Sequence, residues 1–245
     1  MNVVIDTAIP ILEIGRGWML APATGERAMA LGFEPGFGIW VNGRAGAMGD
    51  VTAEAAAAAI GFMAPERVRE LWETRPAGVA AERCASEYGE AAAQWGREAL
   101  AAIDPSRLAR LAGLAMRVAE HADASTGALF AAWRAMPLPA DPAGAATIAL
   151  HILRELRGGA HLSAVHATGL GPHAAIMSVD HPVRGGTAGA ERFGWPSPHP
   201  EPDTARRAEA ETFTNRACAP AFAALNTSEA AEFTELVVEA RAALD

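Results

Sequence analysis

Apolar residues recur along this chain at intervals of three and four rather than in alternation, and that pattern predicts helices almost throughout. Capping chemistry sharpens the boundaries. Asp104-Pro105 and Asp141-Pro142 each place a carboxylate ahead of a proline at the first helical position, where the missing N–H costs nothing. Asn226, three residues before Glu229, has capping-box spacing, and Ser125 is a further cap candidate ahead of TGALFAAWRAM. The expected helices span 7–19, 52–62, 65–74, 78–101, 105–122, 126–136, 142–157, 160–168, 172–179, 204–223 and 228–243. Two segments interrupt the rhythm. Gly32 to Gly49, with six glycines, Trp40 and Arg44, is expected to be a loop lying close to other backbone or to a ligand. HPVRGGTAGAERFGWPSPHPEPD, with prolines at 196, 198, 200 and 202, reads as extended surface chain.

The fold class is therefore all-α, a multi-helix bundle with a C-terminal bihelical, helix-turn-helix-like unit. Residues 1–140 form a helical domain carrying the glycine-rich loop 32–49. Residues 141–245 form a C-terminal helical region that does not clearly separate as a second domain. Nothing in this length and composition calls for a disulfide framework or a structural metal.

The helix expected at 142–157 concentrates the chemistry. Ala145, Ile148, Ile152, Leu153 and Leu156 fall on one face, and His151, Arg154, Glu155 and Arg157 fall largely opposite. A plain amphipathic helix with a solvated polar face and an i, i+4 pair between His151 and Glu155 accounts for this stripe without any function. A metal shared by His151, Glu155 and a third ligand such as His161 is less specific than an HExxH motif, and the two arginines beside it oppose a cation. An anion or polar-ligand pocket fits the same residues better. Arg154 and Arg157 supply charge, Glu155 orients them, and His161 lies just beyond a helix break expected at Gly158-Gly159. At the start of a new helix, near exposed N–H groups and two arginines, His161 is expected to have a lowered pKa.

Charge narrows the partners. The net charge of −9 disfavours polyanions, although all 20 cations are arginine. Cys84 and Cys218 lack CxxC spacing and read as buried hydrophobes. The chain has neither a secretory leader pattern nor a long apolar run, so a cytoplasmic protein with no membrane association is expected.

Several motifs together resemble a family. Gly43-Arg44-Ala45, Phe62-Met63-Ala64-Pro65, Arg154-Glu155-Leu156-Arg157-Gly158 with His161, the turn Gly169-Leu170-Gly171, and Glu211-Thr212-Phe213-Thr214 follow the pattern of a GC-rich bacterial, actinobacterial-type family classed as helix-turn-helix-like. The resemblance covers most of the chain and implies an all-α fold with a winged-helix-like C-terminal part, but no particular activity. The chain departs from that pattern where DNA would be read. About ten residues separate Trp195 from Arg206, too few for a recognition helix and a wing, and His161 to Val179 contains no Lys or Arg.

The leading expectation is a small-molecule-binding protein, or an enzyme acting on a polar or anionic metabolite. Its ligand-binding residues are Trp40, Arg44, His151, Arg154 and Arg157, and its acid/base groups are His161 and Glu155. No metal ligands are assigned, the cofactor is unknown, DNA is disfavoured and a homodimer is left open. The alternatives are a winged-helix-derived transcriptional regulator and a metal or haem protein using the histidines between His151 and His181.

Overall fold

In a computed structural model that describes residues 2–244, every regular element is helical and no strand occurs among the described residues. In chain order the helices are α1 (Val3–Asp6), α2 (Ala8–Gly17), α3 (Pro22–Ala30), α4 (Gly38–Gly46), α5 (Ala53–Ile60), α6 (Pro65–Glu73), α7 (Ala81–Ala99), α8 (Pro105–His121), α9 (Ala128–Ala135), α10 (Pro142–Ala167), α11 (Pro172–Met177), α12 (Gly186–Arg192), α13 (Thr204–Phe222) and α14 (Thr227–Ala242). Without strands there is no β-wing among the described residues, unlike the winged-helix-like part that the resemblance implies.

The expected caps form where their chemistry is local. Asp104 accepts the Ser106 N–H and Asp141 the Gly144 N–H, while Asn226 and Glu229 form a reciprocal capping box. Ser125 does not cap. Its N–H is taken by Asp123, and α9 begins behind Gly127.

The 26-residue α10 is the axis of the bundle, with α2, α7, α8, α9 and α13 packed around it. A helix with neighbours on all sides has no solvated face. Its buried positions accordingly include His151 and Glu155 as well as Ile148 and Ile152. The plain amphipathic alternative, with this stripe in water, therefore fails at His151 and Glu155, which point inward. One apolar cluster draws on Trp18, Tyr88, Leu114, Trp133, Ile152 and Phe233, so segments on both sides of residue 140 share a core.

Glycine also acts differently from expectation. The 32–49 segment is not simply a loop, because α4 occupies its second half. A Cβ on Gly43 would lie 2.4 Å from Tyr88 Cγ, and one on Gly46 would lie 2.3 Å from the Ala81 carbonyl oxygen. These glycines bring α4 against α7 at backbone distance. Nor does Gly158-Gly159 break α10: at Gly159 a Cβ would meet Thr126 O at 2.5 Å, so the residue lets α10 cross the Thr126-Gly127 backbone. Packing on both sides outweighs a helix-propensity cost of about 1 kcal/mol per glycine.

Helix α3 also arises where none was expected, and α12 interrupts the proline-rich segment. At the end of α10, Gly169 and Gly171 adopt φ of 71° and 75°, the left-handed region that glycine favours, and turn the chain into α11 around the buried Leu170.

Two glycine substitutions should move stability in opposite directions. Gly46→Ala forces α4 off α7 and should cost about 1–3 kcal/mol. Gly113→Ala, in the exposed interior of α8 with nothing within 4 Å, should add about 0.5–1 kcal/mol. Urea unfolding of both variants checks the pair, and equal effects would remove the packing role given to Gly46.

Candidate functional site

Close packing of α4 on α7 carries Arg44 to the middle of α10. There its guanidinium makes a fork with Glu155, Nε donating to Oε1 at 3.1 Å and Nη2 to Oε2 at 2.8 Å. The Arg44 carbonyl accepts the Trp133 indole N–H at 3.0 Å, and its guanidinium lies 4.6 Å from the Trp40 ring centroid. Arg154 Nη1 donates to the same Glu155 Oε1 at 2.7 Å. Its methylenes run past Gly15 on α2, where a Cβ would approach Arg154 Cδ to 2.8 Å.

Arg44 is 6% exposed and Glu155 2%, so the pair at the centre is buried and Arg154 half-buried beside it. Burial alone would raise the Glu155 pKa, but Arg44 and Arg154 outweigh it and hold the carboxyl well below its usual range. Two guanidiniums against one carboxylate leave the triad with a net charge of +1.

His151 stands behind the triad. Its ring makes edge contacts with Trp133 at 4.6 Å and Trp18 at 5.3 Å, and Nε2 lies 3.6 Å from Glu155 Oε1. Among the described residues neither ring nitrogen has a hydrogen-bond partner. Burial pushes its pKa down to about 3, Glu155 and the nearby Gly15 carbonyl opposing and the two arginines reinforcing, so the imidazole is neutral at neutral pH.

A second polar group forms where α13 crosses α10. Arg157 donates to Glu211 Oε2 at 2.7 Å and to Asn215 Oδ1 at 2.8 Å, and Arg207 Nη2 lies 3.5 Å from Glu211 Oε1. Here too two guanidiniums face one carboxylate. His161 stacks on Phe62 at 5.5 Å and places Nδ1 2.9 Å from Thr214 Oγ1. Its pKa is lowered, as expected from the sequence, but for another reason. His161 lies inside a continuous helix, and the causes are burial and the charges of Arg207 and Arg157, with Glu211 opposing.

Both groups open on one cavity of about 690 Å³, within the range of small-molecule sites. Trp40, Arg44, Arg154, Glu155, Arg157 and His161 line it together, whereas His151 does not. Apolar walls come from Ile11, Leu12, Ile60, Phe62, Leu129, Phe130, Ile176 and Phe193. The volume owes much to small residues: Ala55, Ala58 and Ala59 turn toward it from α5, and Gly158 lies between the two polar groups. A Cβ on Gly158 would meet only Glu155 Oε2, at 3.9 Å.

Sequence reasoning missed Arg207, Thr214 and Asn215 as partners of the α10 residues, because they approach from another helix. The i, i+4 spacing of Arg207 and Glu211 was the available signal.

The histidines from 151 to 181 do not converge. His166 is exposed, His173 stacks on Trp195 and bonds to His199, and His181 accepts the N–H groups of Val183 and Arg184. Among the described residues, no group of three or more His, Cys, Asp or Glu is arranged to hold a metal ion, and no helix is long and apolar enough to cross a membrane.

The chain matches the helix-turn-helix family over residues 13–202, which is most of its length, and it belongs to that family. The matched region includes Arg44, all of α10 and the turn into α11, but stops short of α13. No curated protein and no solved structure matches the chain.

The buried charges should set the response to acid. His151 binds its proton more weakly in the folded chain than in the unfolded one. Its contribution is therefore full above about pH 6.5 and is lost as pH falls from there toward 3, with His161 adding to the upper part of the loss. Stability should fall by about 2 kcal/mol between pH 6.5 and 5. His151→Phe, which breaks no hydrogen bond, should flatten that limb. By contrast Glu155→Ala should cost about 3–5 kcal/mol at pH 7 by leaving two buried guanidiniums unpaired. Urea titrations across pH test both, and an unchanged acid limb in His151→Phe would overturn the assignment.

Proposed function

We propose that the cavity binds a small organic molecule with an apolar body and an anionic group, as a binding protein or as an enzyme acting on that molecule. The observation that carries this reading is the electrostatic balance of the cavity floor. Two clusters, each with two arginines and one carboxylate, flank Gly158 under apolar walls, and both adjacent imidazoles have lowered pKa values. Excess positive charge set among largely apolar walls favours an anion.

In this reading Arg154 and Arg157 contact the anionic group and Trp40 packs against the apolar body. Arg44 and Glu155 hold Arg154 in place. Glu155, locked by two guanidiniums and acidic as a result, suits an orienting role better than that of a general base. His161 is the candidate acid/base. His151 supports the triad from behind.

A matched pair of probes tests the charge. Anilinonaphthalene sulfonate should bind with enhanced fluorescence, and N-phenylnaphthylamine, the same aromatic body without the sulfonate, should bind at least about tenfold more weakly. Gly158→Leu fills the space between the clusters where the fold leaves room and should abolish sulfonate binding without lowering the unfolding midpoint. Equal affinity for both probes, or full binding by Gly158→Leu, would overturn the reading.

The family supports a second reading, a transcriptional regulator with the cavity as effector site. Against a DNA-contacting turn, His161 to Val179 carries no Lys or Arg. Arg107, Arg110 and Arg117 on α8 are paired with glutamates of α14. We expect no binding to random duplex above that of an acidic control protein. Micromolar, salt-sensitive binding in an anisotropy titration would favour the regulator.

A further inference from the structure

The cavity contains one side chain whose protonation pattern is dictated by its neighbours. Thr214 Oγ1 lies 2.7 Å from the Ala210 carbonyl oxygen one turn earlier on α13, and its hydroxyl hydrogen is donated there. The same oxygen lies 2.9 Å from His161 Nδ1. Having spent its hydrogen, the oxygen can only accept, so Nδ1 carries the imidazole hydrogen and Nε2 of the neutral ring carries the lone pair. Thr214 is fully buried, and Phe62 stacks on the imidazole face, so both the tautomer and the ring plane are fixed.

Among the described residues Nε2 has no hydrogen-bond partner. The nearest carboxylate oxygen, Glu211 Oε1 at 3.8 Å, is too far to hydrogen-bond but near enough to stabilise an imidazolium. Arg157 and Arg207, both paired with Glu211, complete the charged surroundings.

Resting on the reading of the cavity as an anion site, we propose that His161 is its proton acceptor, that Thr214 is the residue that positions it, and that the molecule bound is an apolar hydroxy acid presenting its O–H to His161 Nε2. In the transfer the substrate O–H bond breaks and an N–H bond forms at Nε2. The electron pair stays on the substrate oxygen, whose new charge faces Arg157, while the imidazolium charge faces Glu211. Arg154 remains for the carboxylate.

The test has two arms. In the free protein, the imidazole nitrogen NMR spectrum should report the Nδ1–H tautomer of His161. Thr214→Ser should preserve it, and Thr214→Val should lose it while remaining folded. In the second arm the isomeric hydroxynaphthoates are compared with naphthoate by displacement of anilinonaphthalene sulfonate. At least one hydroxynaphthoate should bind about tenfold more tightly than naphthoate. That gain should be lost in His161→Gln and reduced about tenfold in Thr214→Val, as expected when the hydroxyl donates to the Nε2 lone pair.

An Nε2–H tautomer in the free protein overturns the His161–Thr214 unit whatever the ligand results. Naphthoate binding with no gain from the hydroxyl, or a gain that survives in His161→Gln, overturns the role of His161 as proton acceptor while leaving the anion site standing. Failure of every anionic probe to bind overturns the anion site, and the hydroxy-acid assignment falls with it.

Discussion

A single buried carboxylate holds the centre of this molecule in register. Removing Glu155 from water costs several kcal/mol, which is recovered only if its oxygens are well satisfied. They receive three N–H donors, two from Arg44 and one from Arg154. That geometry makes demands on distant elements. Arg44 reaches the carboxylate only if α4 lies close enough to α7, which Gly43 and Gly46 permit. It keeps its direction because Trp133 of α9 binds its carbonyl. Arg154 reaches the same oxygen only because Gly15 on α2 leaves its methylenes a path. Five helices are thus located relative to one side chain, and the mismatch of one carboxylate with two guanidiniums is what gives the site its sign.

The cavity beside this triad is made by omission. Helices around a common axis normally interdigitate to fill the space between them, and a void forfeits the dispersion contacts its lining would have made. Here Ala55, Ala58 and Ala59 of α5 and Gly158 of α10 line the same cavity. The alanine run reads locally as strong helix propensity, and it is that as well. Its second consequence, empty volume, exists only because another helix stands opposite at a fixed distance.

This separates what the sequence made legible from what it concealed. Helix starts at Pro105, Pro142 and Thr227 were readable because capping is settled within four residues. The residues of the site were readable as a group, since polar side chains on a largely apolar helix attract notice, and six of the seven line one cavity. Their orientation was misread. His151 and Glu155 stand three and seven residues from Ile148, on its side of the helix, and grouping them with Arg154 and Arg157 as one polar stripe also assumed a single neighbour where α10 has five. Glycine likewise marked the right places with the wrong meaning, because the same missing Cβ serves a loop, a helix crossing and a cavity floor. Thr214 and Arg207 went unread as partners of α10 for a simpler reason: spacing within α13, such as the step from Arg207 to Glu211, does not report which helix it will cross.

The two ends of the site are physically continuous with the turn at Gly169 and Gly171, which lies within the region matched to the helix-turn-helix family. Helix α10 provides the cavity floor at Arg154, Arg157 and His161, then runs without interruption to Gly169, so the first helix of the bihelical unit and the floor of the site are one rigid element. The second connection is Arg207. One of its nitrogens donates to the Ala175 carbonyl of α11 at 3.3 Å, while another pairs with Glu211 at the cavity. The polar group that surrounds His161 is therefore also a support of α11. A bihelical unit tied in this way to an interior cavity, and lacking any cation of its own between His161 and Val179, has its charge directed inward, where the arginines of α10 and α13 converge.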